Sequence, residues 1–245
     1  MVHRQVAFAS ALIAAAVSTS HAAAPAIRQS QLEQEVRAAR EASLPHGLFQ
    51  TGSGFYVSDG SLVLTSAHVV AGCRVITIRD ISGREQAGTL VLWDGLRDIA
   101  VLRPDRTGPA GLSLLAEEGP SDRPPEKLKV FAQNFELKTS IPPRQIVVSR
   151  LPDELRMGSS KMLELDASLE TGMSGSPIVD DDGDAIGMVT ARLEVKSEGG
   201  PRTVSVGVEA SDLAAAVQWV DGRARSRDAN QGANPGALTV RVRCR

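Results

Sequence analysis

From Gly47 onward the chain is cut into short apolar runs by turn-forming residues, and that punctuation restricts its fold more than any other feature. Phe55 to Val57 and Leu62 to Leu64 flank Ser58-Asp59-Gly60-Ser61, which predicts a hairpin because Gly60 tolerates the positive φ such a turn needs. Further runs follow at similar spacing: RVITIRD, TLVLWD, IAVLRP, KLKVFAQ, RQIVVSR, KMLELDA, SPIVD, AIGMVTA and TVSVGVE. About a dozen short strands with no long helices between them specify an all-β sandwich or barrel. The Pro- and charge-rich stretch AEEGPSDRPPEK (116–127) divides them into halves of similar size, so two small barrels fit better than one large sheet.

The flanks read differently. Residues 1–24 run from basic Arg4 through the apolar stretch Val6 to Val17 into small residues near Ala22, the pattern of a secretory signal peptide. The stretch is too short to span about 30 Å of hydrocarbon as a helix, and no later segment reaches spanning length, so a mature chain without a membrane span is expected, exported to the periplasm or the extracellular medium. Residues 25–46 predict a short amphipathic helix and linker on Leu32, Val36 and Ala39. Near the other end, Ser211 is placed to cap a helix carrying Leu213, Val217 and Val220, expected to close the domain at residue 221. Residues 222–245 lack core-forming periodicity until LTVRV and read mostly as a flexible tail.

Composition removes several function classes. A formal charge of −2 with both signs scattered gives no basic stripe for nucleic acid, and 3% aromatic residues leave little for stacking on bases or sugars. Cys73 and Cys244 are the only cysteines, 171 positions apart; in an oxidising compartment they can pair, or stay as two separate thiols. No CxxC or HxxxH spacing offers a metal site, and neither metal nor organic cofactor is expected.

Four histidines occur, and only His46 and His68 lie beyond the signal segment. His46, in the loop-like SLPHGLF, has no acidic neighbour to orient it and reads as a surface residue. His68 follows an apolar strand in LTSAHVVAG. Asp98 heads the apolar run of RDIAVLRP, where a carboxylate is costly unless something hydrogen-bonds it, and an imidazole N–H is a suitable donor. Ser174 lies in TGMSGSPIVDDDG, where glycines permit a tight backbone that can turn successive N–H groups inward. A serine hydroxyl becomes nucleophilic when a base takes its proton, and the base works best when a carboxylate fixes its tautomer. His68, Asp98 and Ser174 together make that functional set.

GSGFYVSDGSLVLTSAHVV, DIAVLR and TGMSGSPIVDDDGDAIGMVTA resemble the three catalytic segments of chymotrypsin-fold serine proteases, and are most similar to the bacterial HtrA/Deg-like peptidases. The resemblance covers about residues 47–221 and implies two six-stranded antiparallel barrels with a C-terminal helix and a catalytic cleft between the barrels. It implies Ser174 as nucleophile, His68 as base and then acid, Asp98 as orienter, an oxyanion hole from the backbone at Gly172, Met173 and Ser174, and a primary pocket with Ser168 at its base and Val189, Thr190 and Ala191 along one wall. It further implies a protein or peptide substrate, with a small or medium apolar residue before the cut. Met173 departs from the Asp or Asn usual there, and Ser176 from the usual Gly. The 24 residues after 221 are fewer than a PDZ domain takes, so a peptidase region without one is expected.

Two other functions compete. A non-catalytic binding module could retain the barrels, since folds outlive activities. GMSGS also matches the G-x-S-x-G of lipases and esterases, but those need the histidine after the serine, and here it precedes it.

Overall fold

In the computed structural model the residues described are 50–115, 127–131, 133–134, 139–140, 144–150, 162–166, 170, 172–197, 200–222 and 234–245. The signal segment, the N-terminal helix and nearly all of the connector 116–127 lie outside them. The predicted hairpin forms: β1 (Gln50–Val57) and β2 (Leu62–Ser66) pair antiparallel with Val57 opposite Leu62. Gly60 N–H donates to the Val57 carbonyl at 3.1 Å, with φ +57° at Ser58 and +86° at Gly60. A Cβ on Gly60 would also collide with the carbonyls of Gly108 and Pro109, so only glycine serves there.

The first barrel continues through β3 (Ile76–Arg79), β4 (Glu85–Asp94) and β5 (Ile99–Pro104), and it closes with β14 (Thr239–Cys244) in the order β1-β14-β3-β4-β5-β2. This corrects the expectation of a flexible tail for residues 234–245 and of a domain that ends with the helix at 221; residues 223–233 lie outside the described residues. β14 sits between β1 and β3, with Gly54 opposite Val240 on one side and Ile78 opposite Val242 on the other. Val240, Val242 and Cys244 are fully buried and fill the barrel, while Arg241 and Arg243 alternate outward. Such burial contributes about 1.5–3 kcal/mol per large apolar side chain, enough to hold an isolated strand in place. Cys73 and Cys244 are joined as a disulfide with Cα atoms 5.2 Å apart. The four-residue helix α2 (Pro235–Leu238) starts this return, its Asn234 side chain accepting from Gly236 N–H at 3.0 Å.

The second barrel contains β6 (Lys127–Val130), β9 (Arg144–Arg150), β10 (Met162–Leu165), β11 (Pro177–Val179), β12 (Ala185–Ser197) and β13 (Gly200–Glu209), closed as β10-β13-β12-β11-β6-β9. Two short strands, β7 (Gln133–Asn134) and β8 (Thr139–Ser140), pair separately. Helix α1 (Ala210–Asp221) begins two residues earlier than a cap at Ser211 predicts, because β13 runs directly into it with Glu209 at the cap position; Leu213 and Val217 are buried as expected.

Three apolar clusters hold this together. One fills each barrel, and the third, including Phe55, Leu64, Val179, Met188, Val208, Leu213 and Leu238, joins both barrels to α1. A strap reinforces the seam: Leu112 N–H donates to Tyr56 O at 2.8 Å, and Ala185 N–H donates to Ser113 O at 2.8 Å. Two closed six-stranded antiparallel barrels are thereby fixed against one another. Among the described residues no helix is long and apolar enough to cross a membrane.

Candidate active site

His68 sits on a single 3-10 turn (Ala67–Val70) that leaves β2, and its neighbours Ala67, Val69 and Val70 are buried in the first barrel. Burial on three sides of a short turn leaves the His68 ring as the outward group, with its side chain 51% exposed. Trp93 braces the turn from β4, its Nε1–H donating to Ala67 O at 3.1 Å.

Asp98 enters from the loop before β5. It adopts φ +56°, a left-handed conformation that is costly for most residues and that Asp tolerates better than most. Its surroundings hold it there: Ala67 N–H donates to Asp98 O at 3.1 Å, and His68 N–H donates to Oδ1 at 2.9 Å. The loop behind it is preset by Asp94, whose carboxylate accepts from the N–H groups of Leu96 and Arg97 at 3.0 Å each and from the Arg97 guanidinium at 2.7 Å. Arg97 also reaches Asp212 of α1 at 3.5 Å, and the hydrogen bond to Asp94, against some burial, raises its already high pKa.

The result is a paired imidazole and carboxylate. His68 Nδ1 lies 2.8 Å from Asp98 Oδ2 and 3.1 Å from Oδ1. A carboxylate beside Nδ1 only accepts, so Nδ1 carries the proton and the neutral ring keeps its lone pair on Nε2.

Ser174 lies in the turn before β11, half-buried between Met173 and Gly175. Three polar residues of the first barrel, all fully buried and none recognised from the sequence as contacts of this region, support it: Ser53 docks the turn directly, Thr65 braces Ser53, and Ser66 binds the neighbouring strand β12. Ser53 N–H donates to Ser174 O at 2.8 Å, and Ser53 Oγ donates to Gly172 O at 2.9 Å. Thr65 Oγ1 donates to Ser53 O at 2.6 Å, and Ser66 Oγ donates to Val189 O at 3.2 Å. Their signal was available as polar side chains placed in otherwise apolar strands, each needing a partner. Gly175 takes φ +87° and donates to Val189 O at 2.8 Å, and a Cβ on it would collide with Ser53 O.

The serine and histidine turns meet over Gly52. A Cβ there would stand 2.6 Å from Val69 Cγ2 and 2.9 Å from Ser174 O, so the absent side chain lets both turns close on β1. Met173 N–H donates to Glu170 O at 3.2 Å, which removes it from the three amides expected at the oxyanion hole. The N–H groups of Gly172 and Ser174 have no acceptor among the described residues.

Of the expected pocket residues, Ser168 lies outside the described residues. Val189 and Thr190 are buried, and the β12–β13 register shifts between Val189 and Ala191, making Thr190 a bulge whose Oγ1 donates to Val206 O at 3.2 Å. Among the described residues no group of three or more His, Cys, Asp or Glu side chains is arranged to hold a metal ion.

Comparison with known proteins gives a consistent family. The chain is 31% identical over 150 residues to mitochondrial serine protease HTRA2 of Bos taurus, covering 58% of this chain and 31% of that protein. It is 30% identical over 146 residues to serine protease HTRA1A of Danio rerio, covering 58% and 30%. The match therefore spans about a third of the length of these relatives. Among solved structures, an HtrA-type protease, AlgW, with a decapeptide superposes with a TM-score of 0.56 at 23% identity, over 69% of this chain and 51% of that one. The serine endoprotease from Yersinia pestis gives 0.55 at 25%, over 78% and 67%. The model of the trypsin-like peptidase domain matches residues 52–188, more than half of the sequence and the whole stretch from Gly52 to the strand after Ser174. Homologous to HtrA serine proteases, this chain belongs to the trypsin-like peptidase domain family.

Proposed function

We propose that the chain is a serine endopeptidase in which Ser174, His68 and Asp98 act as one unit. The observation that carries this reading is the His68–Asp98 pair, with 2.8 Å between Nδ1 and Oδ2 and the remainder of the ring facing solvent. Nε2 is then the base that takes the Ser174 hydroxyl proton as Oγ attacks the scissile carbonyl. The tetrahedral oxyanion is held by the N–H groups of Gly172 and Ser174, each worth about 3 kcal/mol in comparable enzymes. Protonated His68 passes its proton to the leaving amine, the amine departs, and the acyl group remains on Ser174. Water activated by the same imidazole then hydrolyses the ester and restores the enzyme. Every step uses side chains and amides of this chain, without a cofactor.

The substrate in this reading is a peptide segment of a protein, in keeping with the decapeptide bound by the HtrA-type protease AlgW. The resemblance assigns Ser168 to the pocket base and Val189, Thr190 and Ala191 to its wall; none of these residue types is a carboxylate, and this supports reading the chain as a peptidase for small or medium apolar residues before the cut. The N-terminal 24 residues direct it out of the cytoplasm.

The decisive experiment is mass spectrometry after treatment with a fluorophosphonate, beside Ser174→Ala. A single adduct on Ser174, absent from the variant, is the expected result. No adduct over a range of pH and temperature would replace this reading with that of a binding module on a peptidase fold.

A further inference from the structure

Along the sequence the charges are scattered, but the alternation of β14 collects three of them on one side. Val240, Val242 and Cys244 point into the first barrel, while Arg241 and Arg243 point out and are followed by exposed Arg245. With Gln50, Thr51 and Cys244 these arginines line a cavity of about 290 Å³, and none of the described residues lining it carries a carboxylate. Glu85 of β4 lies outside that lining, 3.5 Å from Arg243 Nη1 and 3.8 Å from Arg79 Nη1, so one exposed carboxylate is shared by two guanidiniums. Arg241 is fixed from β1: its Nε–H donates to Thr51 Oγ1 at 3.2 Å, and the Thr51 hydroxyl donates in turn to Val242 O at 3.3 Å.

The strand register puts this cavity beside the reacting groups. Arg241 stands opposite Ser53 and Arg243 opposite Thr51; directly opposed side chains have Cβ atoms about 5 Å apart. Ser53 is the residue that docks the serine turn, through Ser174 O and Gly172 O. Thr51 precedes Gly52, over which the serine and histidine turns meet. On the peptidase reading, the acyl half of the substrate is bound by β12 of the second barrel and the amine leaves at His68 of the first. The segment after the cut then passes over the first barrel, on the side of β1 and β14. An extended chain advances about 3.3 Å per residue, which puts its second and third residues about 7–10 Å from the cut. The path from Ser53 to Thr51 and across to Arg243 is of the same order.

We infer that this cavity is a specificity site that takes an Asp or Glu side chain from the second or third residue after the cut. The inference rests on the peptidase reading above and narrows its substrates to segments that are acidic on the leaving side. A guanidinium fork holds a carboxylate through paired N–H donors, a stronger and more directional contact than a neutral carboxamide makes. Mounted on a closed sheet and braced by Thr51, Arg241 needs little reordering to meet such a group.

The test uses two heptapeptides, Ala-Ala-Val-Ala-Glu-Glu-Ala and its Gln-Gln counterpart, each carrying a fluorophore and a quencher, with the cut located by mass spectrometry. The parent is expected to cleave the Glu peptide after Val with a kcat/KM about tenfold above that of the Gln peptide, the scale of one charged hydrogen bond. That ratio should shrink in about 1 M salt. Arg241→Gln together with Arg243→Gln should bring it within twofold, whereas the pair Arg241→Lys and Arg243→Lys retains part of it. A parental ratio near one, or a tenfold ratio that survives in the folded Gln pair, would overturn the inference; if the Gln pair fails to fold, the parental ratio and its salt dependence decide. If Ser174 takes no fluorophosphonate and neither peptide is cut, the peptidase reading falls. Fluorescence anisotropy of the same two peptides on the parent and the variant pairs then decides the cavity alone: tighter binding of the Glu peptide that depends on the arginines supports the carboxylate site, and equal binding overturns it.

Discussion

The two barrels hold their halves of the site by opposite means. In the first, position comes from polar contacts: Asp98 is held in a left-handed conformation by amides of Ala67 and His68, the loop behind it by the Asp94 carboxylate, and the His68 turn by the Trp93 indole. In the second, position comes from apolar burial and from glycine: Met173 is sunk among aliphatic side chains, and Gly172 and Gly175 supply positive φ. The difference teaches that His68 and Asp98 are set by directional bonds, which chemistry disrupts and shape barely affects. The serine turn is set by volume, which shape disrupts first. Ser53 joins the two, donating through both its amide and its hydroxyl to the serine turn.

The harshest way to break the first barrel is to place a charge inside it. Val242→Asp puts an unpaired carboxylate at a fully buried position of β14, a cost of several kcal/mol against total stabilities of about 5–15 kcal/mol. Loss of the near-ultraviolet circular dichroism signal and rapid proteolysis are expected; a cooperative unfolding transition at the parental temperature would show that β14 is dispensable.

Asp98→Asn breaks the polar half of the site and spares the fold. The introduced carboxamide donates to Nδ1, moves the ring proton to Nε2 and removes the base, so the labelling rate at Ser174 should fall about 10⁴-fold with little change in melting temperature. A drop under tenfold would separate Asp98 from the chemistry.

Reduction of Cys73–Cys244 is the next step down. The bond closes a separation of 171 residues, and its loss, or Cys73→Ser, should lower stability by about 2–5 kcal/mol in denaturant titration. An unchanged midpoint would mean that strand pairing alone secures β14.

The smallest effect probes the joint between the halves. Ser53→Ala leaves the Gly172 carbonyl without its 2.9 Å donor, at about 1–3 kcal/mol, and should slow labelling more than it lowers stability. Equal losses in both would place Ser53 in general packing and not in the docking of the serine turn.

Most of the architecture was legible because it is written locally. Alternation and turn residues mark each strand, and the His-Asp-Ser order marks the site. What escaped is non-local. Thr239 to Cys244 alternates inward and outward as any strand does, yet nothing near it names β1 and β3 as its partners, and the polar residues before it dilute the signal. Ser53 and Ser66 look like ordinary small strand residues until the second barrel is seen to accept their hydrogen bonds, and Thr65 until its hydroxyl is seen to brace Ser53. The Glu170–Met173 closure pairs a thioether with an amide, for which no sequence pattern exists.

The place of β14 between β1 and β3 also sets an order of assembly. A ribosome makes the strands of the first barrel first, but that cylinder stays open along one side until residue 244 has been made. The second barrel, contiguous from Lys127 to Glu209, can close while synthesis continues. The barrel begun first is therefore completed last, and His68 and Asp98 receive their final setting only after the serine turn exists. A nascent chain paused anywhere before Thr239 therefore carries the His68 and Asp98 turns on an unclosed barrel.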